Sequence, residues 1–284
     1  MKNMTALMSY FVRYYYTKNN KDKVYEEKVK LLSDEEYKNI EENLSNGIKF
    51  FNSLYDGSDP VSWIVNNQLG PSVIARSVIS EELLLESIRK GCKQYLILAS
   101  GYDTSFSKVN KSVKVYEVDK EEIIEDKERR IKLSHANNSN VTYINCDFNS
   151  EWINNIINTI FNKNEFTFCS LLGISYYLDK EIFGKTIELV SSIIGDNSYI
   201  VFDYPINCES EKEKLNKKLA AGANEEMKSN YSINDIECIA KKANLKIYKN
   251  YTYKDINDRY FYNQCMKAPV GVNYCVLVKN NNEF

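Results

Sequence analysis

Acidic residues stand where several apolar segments of this chain end. Glu117 and Asp119 close the run VKVYEVD, Asp147 follows VTYINC, and Asp203 lies in SYIVFDY. The segment YLILA is followed by a turn that holds Asp103. A carboxylate after a strand can accept hydrogen bonds from a ribose diol or from an exocyclic amine. The pattern therefore indicates a site for a nucleoside ligand, if these segments are parallel strands.

The order of the elements supports that arrangement. Helical stretches separate predicted strands at 95–99, 113–118, 141–145, 166–171 and 198–204. Helices between successive strands predict a doubly wound, mostly parallel α/β sheet, in which ligands bind outside the carboxyl ends of the strands. Two further strands, 245–253 and 273–279, have no clear helix between them. We therefore expect an antiparallel C-terminal edge.

The N-terminal third differs from the rest because it contains helical patterns and no convincing strand. Ser33 and Glu36 have the spacing of a capping box at the start of one helix. We expect residues 1–92 to form a helical cap packed on a core of residues 93–284, with a possible lid insertion near 206–230.

Composition excludes several classes of function. The chain has 284 residues, 43% of them hydrophobic and 27% charged, with a net charge of −2 and no basic block. This balance argues against a membrane protein or a nucleic-acid partner. Seven cysteines without a CxxC pair, and a single histidine, argue against a disulfide framework or a metal site. The N-terminal residues lack the pattern of a signal peptide, so we expect a cytoplasmic protein.

The turn after the first strand distinguishes between nucleotides. Dinucleotide enzymes use GxGxxG, which lets pyrophosphate approach bare backbone. Here Ala99 and Ser100 precede a single glycine, Gly101, and Asp103 follows closely. A carboxylate at this turn would repel pyrophosphate but tolerate a cationic sulfonium. The turn therefore favours S-adenosylmethionine over a nicotinamide dinucleotide.

Five segments together resemble a known family. They are VIARSVISEELL, YLILASGYDTSFSKV, YEVDKEEIIEDKERRI, INCDFNSEW and FTFCSLLGISYYLDKEIF. In this order, from about Pro71 to Tyr204, they resemble the leucine carboxyl methyltransferase family, including its bacterial small-molecule O-methyltransferase branch. The resemblance implies a Rossmann-like class I fold. It also implies methyl transfer from S-adenosylmethionine to a carboxyl or hydroxyl oxygen of a small molecule or peptide, with S-adenosylhomocysteine as product.

The resemblance also implies a cofactor site. Arg76 matches the arginine that holds the methionine carboxylate, Asp119 matches the ribose-binding aspartate, and Asp147 with Phe148 matches the pair at the adenine. Leu172 departs from the pattern, because many members have an acid there. The residues assigned to the cofactor are Arg76, Ala99, Ser100, Gly101, Asp103, Glu117, Val118, Asp119, Asp147, Phe148, Leu171, Leu172 and Gly173.

Alternatives remain open at several positions. Either Glu117 or Asp119 could pair with a lysine instead, and Asp103 or Asp147 could cap a helix. A carboxylate nucleophile needs no general base, whereas a hydroxyl or an amine would need one. The weak candidates for a base are Tyr176, Tyr177, Asp203 and Tyr204.

Two other functions compete with a methyltransferase. A dinucleotide oxidoreductase would share the ribose-binding acid but lacks GxGxxG, and a non-catalytic S-adenosylmethionine-binding module would keep the fold without the reaction. His135 precedes the third strand, at the edge of the sheet opposite the expected site, so we expect it to have no catalytic role. The acceptor and the oligomeric state do not follow from the sequence.

Overall fold

The computed structural model describes residues 4–51, 54–147, 153–159, 161–208 and 227–280, together with 210, 211, 214, 215 and 217. The helices are α1 (Met4–Asn19), α2 (Asp34–Gly47), α3 (Pro60–Trp63), α4 (Gly70–Arg89), α5 (Glu121–Ser134), α6 (Ile153–Ile157), α7 (Lys180–Ile193), α8 (Ile233–Lys242) and α9 (Tyr253–Ile256). The strands are β1 (Gln94–Leu98), β2 (Lys114–Asp119), β3 (Val141–Asn145), β4 (Thr167–Leu171), β5 (Tyr199–Pro205), β6 (Lys246–Tyr251) and β7 (Val272–Val278). Most of the predicted lid near 206–230 lies outside the described residues.

The strands form one seven-stranded sheet in the order β3-β2-β1-β4-β5-β7-β6. Strands β1 to β5 are parallel, and β7 runs antiparallel to both β5 and β6. The predicted mostly parallel sheet with an antiparallel C-terminal part is therefore confirmed. The edge strand is β6, because β7 inserts between β5 and β6.

The register of the central strands places the turn after β1 between the carboxyl ends of β2 and β4. Leu98 of β1 pairs with Val118 of β2 and with Leu171 of β4, so the three strands end nearly level. The strand was predicted to include Ala99, but that residue has φ of +51° and begins the turn instead. This left-handed backbone explains why β1 ends one residue early.

The N-terminal helices pack on the sheet through a shared hydrophobic cluster. Tyr10 and Phe11 of α1 are fully buried in the cluster that includes Tyr95 and Phe168 of the sheet. The predicted capping box is present at α2, where the Ser33 hydroxyl accepts from the Glu36 N–H at 3.1 Å and the Glu36 carboxylate accepts from the Ser33 N–H at 2.9 Å. Within the described residues, no helix is both long enough and apolar enough to span a membrane.

Candidate active site

A cavity of about 440 Å³ lies at the carboxyl ends of the central strands, where the topology predicts a ligand site. It brings together most of the residues that the sequence assigned to a cofactor. Those on its wall are Arg76, Ala99, Ser100, Gly101, Asp103, Asp119, Asp147, Leu172 and Gly173. Phe148 lies outside the described residues.

The Asp119 carboxylate connects the first turn to the end of β2. One oxygen accepts from the Gly101 N–H at 2.7 Å, and the other accepts from the Lys120 N–H at 2.8 Å. Burial raises the pKa of Asp119, and these two donors oppose that shift. The carboxylate is thus held against the turn while it also faces the cavity. In the same turn, the Ser105 N–H donates to the Asp103 carboxylate at 2.7 Å, which forms an Asx turn before the short helix Ser105–Lys108, whose N-cap position is Thr104.

Arg76 is held in place from two sides. Its guanidinium donates to the Ser9 hydroxyl of α1 at 3.0 Å and lies 3.7 Å from the Asp203 carboxylate. Asp203 is fully buried and accepts from the Gly173 N–H at 2.6 Å and from the Tyr176 hydroxyl at 3.0 Å. Asp203 therefore orients the Arg76 guanidinium from beneath the cavity, and its own side chain does not line the cavity.

Gly173 makes room for the Arg76 guanidinium. Its φ is +73°, and a Cβ at this position would collide with Arg76. We expect Gly173→Ala to displace Arg76 and to weaken S-adenosylhomocysteine binding about ten-fold, which isothermal titration calorimetry would measure. Gly47→Ala is the control, because a Cβ there meets nothing within 4 Å. Equal affinities in the two variants would contradict the role given to Gly173.

Glu117 is separated from the cavity although it shares a face of β2 with Asp119. Its carboxylate lies 2.5 Å from the Lys127 ammonium of α5, and both side chains are fully buried. The distance is that of an ion pair, although the angles fall outside hydrogen-bond geometry. Burial raises the pKa of Glu117 to about 7, and the lysine opposes that rise. Because Glu117 lies two residues farther from the end of β2 than Asp119, its carboxylate contacts α5 and does not line the cavity.

Val118 and Leu171 also do not line the cavity. Both are fully buried in a second hydrophobic cluster, because alternate side chains of a strand point to opposite faces of the sheet. The carbonyl of Val118 nevertheless supports the turn, since it accepts from the Ser100 N–H at 3.1 Å.

A second cavity of about 330 Å³ adjoins the first. The two cavities share Thr5, Ser9, Arg76, Gly173 and Tyr177. Apolar side chains form most of the second wall, among them Met8, Val12, Leu69, Val73, Met227 and Val272. Arg76 is the sole charged residue among the described residues that line it. An apolar molecule placed here would lie beside a ligand in the first cavity.

The candidates for a general base occupy different positions. Tyr177 lines both cavities, whereas Tyr176 lines only the second. Burial, with the charge of Asp203, raises the pKa of Tyr176 well above its usual value of 10. Tyr204 is buried in the core and donates to the Asn250 side chain at 2.9 Å. His135 lies at the end of α5, which leads to the amino end of β3.

The polar face that α1 contributes to the site was missed from the sequence. Thr5, Ser9 and Arg13 recur every four residues and form one polar face of the helix, which lines the first cavity together with Ala6. Arg13 donates to the Tyr102 carbonyl at 2.8 Å and so connects α1 to the turn after β1. The spacing of four was visible in the sequence.

The first cavity has the chemistry that S-adenosylmethionine requires. Asp103, Asp119 and Asp147 supply acceptors and negative charge for hydroxyls, an amine and a cationic sulfonium, and Arg76 supplies the charge for a carboxylate. The Ser100 hydroxyl is buried and, among the described residues, has no hydrogen-bond partner. A polar ligand would satisfy it. The residues therefore fit the cofactor.

The strand order and this cavity define a class I S-adenosylmethionine-dependent methyltransferase. The leucine carboxyl methyltransferase family matches residues 6–191, and the chain belongs to this family. The family predicted from the five sequence segments is thereby confirmed, as is S-adenosylmethionine as the cofactor. Membership in this family does not support the dinucleotide oxidoreductase alternative.

One sequence relative is also named a methyltransferase, and two solved structures share the fold. A Bacillus subtilis protein named "Putative S-adenosyl-L-methionine-dependent methyltransferase YktD" is 29% identical in an alignment 280 residues long that covers 92% of this chain and 92% of that protein. A DUF574 family protein from Streptomyces avermitilis has the same fold, with a TM-score of 0.60, 13% identity and 97% of each chain covered. Magnesium protoporphyrin IX methyltransferase from Synechocystis, solved with bound S-adenosylhomocysteine, gives a TM-score of 0.51 with 11% identity, covering 86% of this chain and all of that one.

Proposed function

We propose that this methyltransferase methylates an oxygen atom of a small molecule. The observation that supports this most is the junction of two cavities at Arg76, Gly173 and Tyr177, one with nucleoside-binding chemistry and one mostly apolar. When bound, S-adenosylmethionine supplies a methyl group on a positively charged sulfur. The protein then has to align an acceptor oxygen with that carbon and exclude water.

Residues of the first cavity would hold the cofactor. We assign the ribose diol to Asp119, the methionine carboxylate to Arg76 and the adenine amine to Asp147. The Ser100 hydroxyl and the turn through Gly101 would lie against the methionine part. The positions of these residues on one wall support the assignment.

The second cavity favours an acceptor oxygen that is already ionised. Aspartate, glutamate, histidine and lysine are absent from the described residues of its wall. Tyr176 is a poor base because its pKa is raised and its hydroxyl already donates to Asp203. A carboxylate needs no base, so we propose a carboxyl acceptor before a hydroxyl one.

Tyr176→Phe tests whether Tyr176 acts as a general base. We expect kcat to remain within about ten-fold of the wild type, since loss of a general base costs about 10²–10⁴-fold. The measurement is the steady-state rate of methyl transfer to whichever acceptor takes up label. A decrease of a thousand-fold at unchanged stability would make Tyr176 the base.

Methyl-labelled S-adenosylmethionine would test the acceptor chemistry directly. The matched acceptors are 3-phenylpropanoic acid, 3-phenylpropan-1-ol and 3-phenylpropylamine. We expect label in the acid alone, released as methanol by mild base because the product is an ester. Base-stable label in the alcohol would indicate ether formation, and label in the amine would contradict O-methylation.

Two broader proposals accompany this function. Residues 1–92 would act as a cap on residues 93–284, as the hydrophobic cluster shared by α1 and the sheet suggests.

The protein would work in the cytoplasm, in agreement with its seven free cysteines. Fractionation of producing cells would test this location, and recovery from the medium would contradict it.

A further inference from the structure

One face of α4 and of the turn before it borders the second cavity, where we propose that the acceptor binds. The residues on that face are Gln68, Leu69, Ser72, Val73 and Arg76, which follow helical spacing. Gln68 and Leu69 belong to a π-helical turn, Ile64–Leu69, that runs directly into α4. Such turns occur frequently at functional sites.

The π-helical turn is fixed by a close backbone approach. The Gly70 N–H donates to the Val65 carbonyl, and a Cβ on Gly70 would collide with that same oxygen. Glycine therefore permits the wide turn to close against α4. Gln68, two residues before Gly70, therefore lies on a hydrogen-bonded helical turn, the kind of element that suits specific recognition.

Gln68 differs in chemistry from its neighbours on the cavity wall. It supplies the sole side-chain amide among the described lining residues and is only 6% exposed. An amide can both donate and accept, so it can bind a hydroxyl, a carbonyl or another amide. The rest of this part of the wall is mostly apolar, with Met8 and Val272 nearby.

Gln68 and Arg76 lie at different positions along the helical face that lines the second cavity. The two residues are eight positions apart in the chain, which corresponds to a rise of about 12 Å along a helix axis. Arg76 also lines the first cavity, so we place methyl transfer on the Arg76 side of the second cavity. Gln68 lies away from that side by about the length of a small molecule. Apolar side chains of the wall lie between the two residues.

We propose that Gln68 is a specificity-determining residue that binds a second polar group of the acceptor, at the end remote from the methylated oxygen. The acceptor class is then an oxygen acid with an apolar body and a hydrogen-bonding group about 10 Å from the acid. This proposal rests on the proposed O-methyltransferase function.

Two acids of matched length test the proposal. Octanoate has an apolar far end, and 8-hydroxyoctanoate carries a hydroxyl there. With labelled S-adenosylmethionine, we expect the wild type to use 8-hydroxyoctanoate with kcat/KM about ten-fold higher than octanoate. Gln68→Leu should abolish this preference and leave the KM for S-adenosylmethionine unchanged. Asn66→Leu, on the same turn but outside the cavity wall, should keep the preference.

The possible outcomes distinguish a failure of this inference from a failure of the proposed function. Equal use of both acids by the wild type, or a preference that survives in Gln68→Leu, overturns the role of Gln68. Binding of S-adenosylhomocysteine without methylation of either acid overturns the acceptor class and leaves the cofactor site standing. Failure to bind S-adenosylhomocysteine would count against the proposed function itself.

Discussion

Replacing Lys127 with methionine should lower the free energy of unfolding at pH 8 by about 3–5 kcal/mol. The Lys127 ammonium lies 2.5 Å from the Glu117 carboxylate, and neither side chain is exposed. Removing the lysine leaves a buried carboxylate without its charge partner, which costs far more than the pair itself contributes. Urea denaturation followed by circular dichroism would measure the change.

Two comparisons isolate the cause of this loss. The double variant Lys127→Met, Glu117→Leu should recover most of the lost stability, since no buried charge remains. Lys185→Met removes an exposed partner of Glu188 and should change stability by less than about 1 kcal/mol. A double variant no more stable than the single one would contradict the explanation by an uncompensated charge.

The same pair gives the stability a pH dependence. Burial raises the pKa of Glu117 to about 7, above its value in an unfolded chain. The contribution of this group to stability is therefore fully present below about pH 4.5 and is lost as pH rises through about 7. Lys127→Met should raise this pKa further, so the variant should lose less stability at pH 5 than at pH 8. A loss independent of pH would contradict this linkage.

Asp119→Asn should weaken S-adenosylhomocysteine binding about ten- to hundred-fold. A charge-assisted hydrogen bond is worth about 1.5–3 kcal/mol, and about 1.4 kcal/mol corresponds to a factor of ten. Asparagine keeps one oxygen that can accept from Gly101 or Lys120 but leaves the other N–H without an acceptor, so the melting temperature should also fall by a few degrees. Calorimetric titration measures the affinity. Asp258→Asn is the control, because Asp258 is exposed and does not line the first cavity. Unchanged affinity in Asp119→Asn would remove Asp119 from the cofactor site.

The strand ends were predictable because buried parallel strands are continuous apolar runs. Asp119 and Asp147 were identified as site residues on that basis, and both lie on the cavity wall. Glu117 was not separable from Asp119 by sequence, because its partner Lys127 becomes its neighbour only when α5 packs on the sheet. Ala99 likewise gave no local sign of its left-handed backbone, since alanine is rarely found there.

Long-range contacts account for the features that were missed. The polar face of α1 is interleaved with aromatic residues such as Tyr10 and Phe11, which dominate the pattern of that helix. Asp203 was considered as a base, but the fold places it beneath Arg76, where it orients the guanidinium. The insertion of β7 between β5 and β6 has no local signal, because strand order depends on pairing across the sheet.

A thermal melt with S-adenosylhomocysteine and, separately, with NAD tests the cofactor site most directly. At about one hundred times its dissociation constant, a ligand stabilises the fold by about 2.7 kcal/mol. We predict a clear rise in melting temperature with S-adenosylhomocysteine, a smaller rise in Asp119→Asn at the same concentration, and no rise with NAD. A rise with NAD alone, or no rise with either ligand, would contradict the site built around Arg76, Gly101 and Asp119.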